Sequence, residues 1–489
     1  MFSTHSLPGQ RSSAKGAVLL AIALLAGCAA GRNSVKPDAV ALDPQTLDAG
    51  SAISRAAPER SQPASASWWK AYGDHQLDDL VDMALAHNPT MDMAAARIRQ
   101  AQGVFDRVHA DTLPNVTGAA SIAGERFSNN YGWGPYGGTS NTNNQLLVGA
   151  DYHFDFWGKR RAQVAASQGH ILASRAEAQD AALMLQTGMV QTYIQLASAY
   201  RLRDVAQQGL DRRGQILKLA TIRQGAGLGD DIDTTSLRAS ISDTRSVVAQ
   251  LDGQINRLRH AVAALAGKDP SYAEAITRPE LTRLGDPAPI SRLPADLLGH
   301  RPDVTAARER AEAASQGIRA AKAAFYPDID LSLFAGAQRL GLSDFLSAGS
   351  LAAGIVPAIS LPIFDGGRLR GQLTARTADY DAAVSDYNAT LLRALQETAD
   401  GVTDLQAASR QQSEAADRVA QQRRLADLQD VRAKAHLTNQ IDVLNTDIAA
   451  LLAQRDAITA DTRVAVSQVA LIRALGGTYS TSSSDSQHD

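Results

Sequence analysis

Cysteine is nearly absent. Cys28 is the only one among 489 residues, which excludes a disulfide within the chain and any multi-cysteine zinc site. Aromatic residues make up 5% and leave little material for a broad aromatic pocket. There is no excess of basic charge, since the formal net charge is −3, so no nucleic-acid-binding face is indicated. Apolar runs are short: none approaches the ~20 residues of a transmembrane helix, so a membrane could be crossed only by strands. Catalytic signatures are missing as well. The histidines are scattered, and no His-Glu-x-x-His helix, Gly-x-Ser-x-Gly elbow or phosphate loop occurs, so neither an enzyme nor a cofactor is expected.

Proline is also missing from Arg368 to the C-terminus, where Ala, Leu, Gln, Arg and Asp dominate. Just upstream, Ile329, Leu331, Leu333 and Ala335 alternate, a Gly- and Ser-rich turn follows, and Ile355, Ile359, Leu361 and Ile363 alternate again. That is the pattern of a β-hairpin with one apolar face. After Phe364-Asp365-Gly366-Gly367-Arg368 the spacing becomes helical, with Tyr380, Val384, Tyr387, Leu391, Leu395, Thr398, Val402 and Leu405 on one stripe. A helix from Arg368 to Ala435 would be about 100 Å long at ~1.5 Å per residue, the wall of a coiled coil or tube.

This unit occurs twice. Pro89 and Pro114 match Pro302 and Pro327 at an offset of 213, each pair bracketing an Ala- and Arg-rich helix. Phe156-Trp157-Gly158-Lys159-Arg160 matches Phe364 to Arg368 at 208, and Arg223–Asp233 matches Arg432–Asp442 at 209. Each half therefore reads helix, two strands, very long helix, tight turn, return helix. The first hairpin pairs about Asn115–Phe127 with Gln145–Trp157. Leu146, Val148, Ala150, Tyr152, Phe154 and Phe156 share one face; Leu147, Gly149, Asp151, His153 and Asp155 share the other. An apolar face backed by a polar one is what a membrane barrel needs, and Asp151, His153 and Asp155 read as lumen residues rather than metal ligands. The first repeat spans 68–268, with its long helix pair over 158–266. A Pro-rich connector covers 269–299. The second repeat spans 300–477, with its hairpin at about 327–364 and its helix pair over 368–475, and a disordered tail covers 478–489.

At the N-terminus, Arg11 and Lys15 precede a short apolar run that ends in Leu25-Ala26-Gly27-Cys28. This resembles a bacterial lipoprotein signal peptide (1–27), with Cys28 acylated as the first mature residue. Ala29 follows it, and with no Asp there the resemblance implies sorting to the outer membrane. Residues 28–67, with Pro37, Pro44, Pro58 and Pro63, read as an extended segment.

Four strands cannot close a barrel, and an open sheet edge is forbidden in lipid, so the chain must oligomerise. Three copies give twelve strands. The expected fold is a mixed α and β membrane protein, internally duplicated, whose trimeric twelve-stranded barrel continues into a helical tube.

These landmarks resemble the TolC-like outer-membrane efflux proteins, in their lipoprotein branch. The resemblance covers about 65–478. It rests on Trp68-Trp69 with Asp78 and Leu80, Asn88-Pro89, Phe156 to Arg160, Arg301-Pro302-Asp303-Val304, Leu361 to Arg368 and Ala474-Leu475-Gly476-Gly477. It implies a passive homotrimeric exit duct among outer-membrane lipids, docked to a periplasmic adaptor and an inner-membrane pump of the RND type. It also implies that the two helical turns form a periplasmic tip. Adaptor contacts are then expected at Arg223, Ala226, Gly227 and Leu228, and at Arg432, His436 and Leu437. His436 departs from the usual glycine and either contacts the adaptor or simply fills a non-helical turn position. An iris-like gate is implied at Ile441, Asp442, Leu444 and Asn445, although relatives often carry an acid and an arginine where this chain has Asn445 and Ile448. Ile441, Val443 and Leu444 read equally as coiled-coil core, and Asp233 and Asp442 also read as helix N-caps. Two rivals share these features, the duct of a type I protein-secretion system and a periplasmic coiled-coil scaffold lipoprotein without a pore.

Overall fold

The computed structural model describes residues 35–47, 67–130, 134–281 and 301–477. The signal peptide, Cys28, most of the segment 28–67, Tyr131 and Trp133 of the first hairpin loop, the connector beyond Leu281 and the tail lie outside the described residues.

The duplication is visible in the lengths of the helices. Helices α1 (His75–His87) and α2 (Pro89–Ala110) precede strands β1 (Asn115–Arg126) and β2 (Ser140–Phe154), followed by α3 (Lys159–Gly225) and α4 (Asp231–Leu265). The second half comprises α5 (Pro302–Ala323), β3 (Asp328–Leu340), β4 (Leu351–Ser360), α6 (Arg368–Lys434) and α7 (Gln440–Ala474). Helices α2 and α5 have 22 residues each, α3 and α6 have 67, and α4 and α7 have 35. The halves differ in their strands. The four strands form one antiparallel sheet in the order β1-β2-β3-β4, so the hairpins of both repeats join through β2 and β3.

Two compact units cut across the repeats, each drawing on both. The first contains the described residues within 35–41, 98–174 and 307–387; the second contains those within 42–97, 175–306 and 388–477. Within the first, Ile318, Ala321 and Leu373 form a small core against which Val35, Phe325 and Tyr380 pack. Gly169 lets α3 approach α5 closely, since a Cβ there would lie 3.0 Å from that of Ala313. Within the second, Trp68, Trp69, Tyr72, Leu77 and Val81 pack with Met189, Tyr193, Val262 and Val469. Asp74 caps α1 by accepting from the amides of Gln76 and Leu77, and it also accepts from the Tyr193 hydroxyl at 2.9 Å. The long-helix stripe read from the sequence is a packing stripe: Val384, Leu391, Thr398 and Val402 are buried.

Candidate functional site: a membrane-facing sheet and two helical tip turns

The register sorts the sheet into two faces. Val116, Gly118 and Ala120 of β1 oppose Ala150, Val148 and Leu146 of β2. The same rows continue through Leu333, Ala335 and Ala337 of β3 to Ile355, Ala353 and Leu351 of β4. Within one protomer Val116, Ile122, Leu351, Ile355 and Ile359 are 65–74% exposed. A contiguous apolar face of this kind belongs against lipid or a partner, not water. The other face is more polar. Asp151 accepts from the Ser332 hydroxyl at 2.6 Å, and His153 contacts Asp330 across β2 and β3. Asp155, expected on that face, lies past the end of β2. Its carboxylate accepts from the amides of Arg160 (3.1 Å) and Arg161 (2.9 Å) at the start of α3. Burial works against the charge, but these amides and the Arg161 guanidinium hold Asp155 below the ordinary carboxylate range.

The second junction is built differently. Asp365 accepts from the amides of Leu369 (2.9 Å) and Gly367 (3.0 Å), and the Leu369 amide contributes most to holding its carboxyl low. The starts of α3 and α6 are 209 residues apart, so the match of Phe156 with Phe364 at 208 is one residue out of structural register.

The two turns joining the long helices are near copies. Leu228 N–H donates to the Arg223 carbonyl (2.9 Å) and Gly227 N–H to that of Gln224 (3.0 Å). Leu437 N–H donates to Arg432 (2.8 Å) and His436 N–H to Ala433 (3.0 Å). Both are Schellman endings, which require a left-handed residue just beyond the helix. Gly227 takes φ 75° and His436 φ 56°, so His436 fills the glycine position. His436→Gly should raise stability by up to about 1 kcal/mol, the left-handed penalty of an L-residue, measured as a shift in thermal midpoint. Leu228 and Leu437 are each 69% exposed at these turns.

The return helices are capped by residues other than those read from the sequence. Asp230 accepts from the Asp233 amide and Asn439 from the Asp442 amide, both at 3.0 Å. Asp233 and Asp442 are therefore three residues inside, and Asp442 accepts instead from the Thr438 hydroxyl at 2.8 Å. Among the gate candidates, Leu444 is 3% exposed and packs inside the protomer beside Val443, whereas Asp442 and Asn445 are exposed and Ile441 half-buried. Sequence reasoning missed Asp447, which pairs with Arg212 of α3 at 3.3 Å. Ile448 lines a cavity of about 520 Å³ with Val205, Val247 and Leu452.

The Arg-Pro-Asp-Val stretch does structural work. The Arg301 guanidinium donates to Asp303, to Glu397 (2.8 Å) and to the carbonyl of Ala474 (2.8 Å), the last residue of α7. Asp180 borders the same cluster, and burial, followed by the nearby Asp303 charge, raises its carboxyl above the ordinary range. Such a group disfavours its charged form in the fold. It therefore subtracts stability as pH rises from the ordinary carboxylate value through its raised one. Asp180→Asn should flatten this part of the stability–pH profile and stabilise at pH 7, by less than about 1 kcal/mol after solvent screening, as read from melting curves across the window.

The sequence model of the outer membrane efflux protein family matches residues 80–268 and 293–477. The chain belongs to this family. It is 38% identical over 378 residues to the fusaric acid resistance protein FusA of Burkholderia cepacia, covering 76% of this chain and 70% of FusA. It is 27% identical over 475 residues to the multidrug resistance outer membrane protein MdtP of Escherichia coli K12, covering 94% and 96% respectively. Among solved structures it resembles the outer membrane protein VceC of Vibrio cholerae, with a TM-score of 0.78 and 36% identity over 85% of this chain and all of VceC. The efflux protein is thus an outer-membrane channel component of mixed α and β fold, and its sheet is the membrane-facing element. Among the described residues no helix is long and apolar enough to cross a membrane.

Proposed function

We propose that three copies of this efflux protein share one wall, twelve strands closing a barrel that opens into a helical duct, and that the duct exports small toxic compounds. The observation that carries the reading is the sheet itself. It offers one apolar face, and among the described residues its two outer strands, β1 and β4, have no further strand beyond them. Unpaired strand edges are not tolerated in lipid, so β4 of one copy pairs with β1 of the next. Transport through the duct is passive and involves no covalent chemistry. An inner-membrane pump of the RND type supplies the energy, and a periplasmic adaptor joins the two.

The tip turns receive the adaptor through Leu228 and Leu437, with Arg223, Ala226, Gly227, Arg432 and His436 around them. Docking shifts a closed tip toward open through contacts that differ between the two states. Ile441, Asp442 and Asn445 form the constriction, and Leu444 supports it from within the protomer. His153 and Asp151 line the lumen.

Cys28 carries the acyl anchor. In support, Asp381 accepts from the amides of Asp38 (3.1 Å) and Ala39 (3.0 Å), and Val35 packs near Leu373, five residues into α6. The relatives' names point to fusaric acid-like and multidrug cargo; selectivity resides upstream, because a water-filled duct grips cargo weakly.

Heat-modifiable trimers that conduct in planar bilayers are the expected result for the purified protein. A water-soluble monomer without conductance would overturn the reading. A susceptibility profile of a deletion strain identifies the cargo.

A further inference from the structure

Where the strands give way to the long helices, exposed apolar residues stand next to cations. Phe156 is 61% exposed, Ile363 78% and Phe364 92%. Within three to seven residues of them, α3 opens with Lys159, Arg160 and Arg161, and α6 with Arg368 and Arg370; neither helix has an acidic residue in its first turn. Cations at a helix N-terminus oppose the helix dipole and are unfavourable for the helix itself. Both repeats nevertheless place them there.

Carboxylates offset only part of this charge. Lys159 lies 3.4 Å from Asp328 and Arg161 3.4 Å from Asp155. Arg160 instead donates to a neutral acceptor, the Asp111 carbonyl, at 2.7 Å, while Arg368 reaches Asp365 only at 3.9 Å and is 66% exposed. A cavity of about 580 Å³ opens among Trp157, Lys159, Arg160, Tyr326, Pro362 and Arg368, within the size range of small-molecule sites. Its walls thus combine an aromatic pair, Trp157 stacked on Tyr326 at 4.6 Å, with three cations and the two carboxylates Asp155 and Asp328, so the basic side chains outnumber the acidic ones.

We propose that this junction binds the headgroups of anionic glycerophospholipids, with Arg368, Arg370 and Arg160 meeting the phosphate and Phe156, Ile363 and Phe364 entering the acyl layer. The inference rests on the apolar face of the sheet lying in the membrane. Aromatic and aliphatic side chains then mark the edge of the hydrocarbon, and the basic residues that follow fall at headgroup depth. Each basic side chain near an anionic membrane surface strengthens binding about fivefold.

The test uses the full-length protein purified in detergent, stripped of lipid and titrated with phosphatidylglycerol or phosphatidylethanolamine, with bound lipid counted by native mass spectrometry. Phosphatidylglycerol should be retained preferentially, and the preference should weaken as salt rises. Arg368→Gln with Arg370→Gln should reduce the preference about 25-fold, the product of two fivefold factors. Arg423→Gln with Arg424→Gln, which removes the same charge from exposed positions farther along α6, should leave it intact. Equal retention of both lipids by the unaltered protein, or equal losses in the two double variants, would overturn the proposal. Conductance in planar bilayers, recorded in parallel, reports separately on the barrel. Should the Arg368 and Arg370 variant fail to assemble, the salt titration of the unaltered protein decides.

Discussion

Leu228→Glu combined with Leu437→Glu is expected to abolish export and leave the trimer intact. Both leucines sit just beyond a Schellman ending, and in both the backbone N–H rather than the side chain closes the turn. Their side chains are 69% exposed, so the carboxylates are solvated in the free protein and should cost folding less than about 0.5 kcal/mol. In the docked complex proposed above the same positions are covered, and three subunits would each bury two unpaired charges. Adaptor affinity should fall at least ~100-fold, about 2.7 kcal/mol, and drug susceptibility should match that of a strain lacking the channel. Heat-modifiable mobility on gels checks the trimer, and co-purification with the adaptor checks docking. Normal efflux in the double variant would remove the docking assignment while leaving the channel assignment untouched.

Arg301→Ala should be among the most destabilising single substitutions in the protein. The side chain of Arg301 is 8% exposed, and its donors satisfy Asp303, Glu397 and the carbonyl that ends α7. Truncation leaves two carboxylates near Asp180 without their cation and leaves the Ala474 carbonyl with the Thr398 hydroxyl alone, at 3.2 Å. Breaking a buried ion pair from one side costs about 3–5 kcal/mol. Because Glu397 is 38% exposed, the lower end applies, and the thermal midpoint should fall by about 5 °C or more. Arg301→Lys should recover only part of the loss, because an ammonium cannot reproduce the guanidinium fork to Asp303. A midpoint unchanged in Arg301→Ala would show that water replaces these contacts at no cost.

Much of the architecture was legible because the duplication constrained it. Proline spacing, the change from period two to helical spacing and the recurring junction placed every long element within a few residues. The misses have local causes. Strand β2 begins at Ser140 instead of Gln145 because its first part, Asn141 to Asn144, is polar and carries no hydrophobic alternation. Asn144 is nonetheless fully buried, donating to Thr142 Oγ1 at 3.0 Å and to the Gly341 carbonyl at 2.8 Å. The strand stops at Phe154 because Asp155 turns to cap α3. The N-caps were read three residues late because Asp and Asn recur through both turns. The choice falls on whichever residue the Schellman geometry leaves extended, Asp230 at ψ 174° and Asn439 at ψ 163°.

The amino-acid order alone determined that the chain is a doubled unit of strand pair and very long helices, with an apolar sheet face that demands lipid and companions. Periodicity is a property of neighbours along a chain, and a repeat of more than 200 residues can be counted without coordinates. Tertiary structure decided what depends on contacts between distant segments. It joined the two hairpins into one sheet through β2 and β3, turned Leu444 inward, and made Arg301 the tie between α5, α6 and the end of α7. Burial and ion pairing depend on which segments meet in space, and no local pattern encodes that.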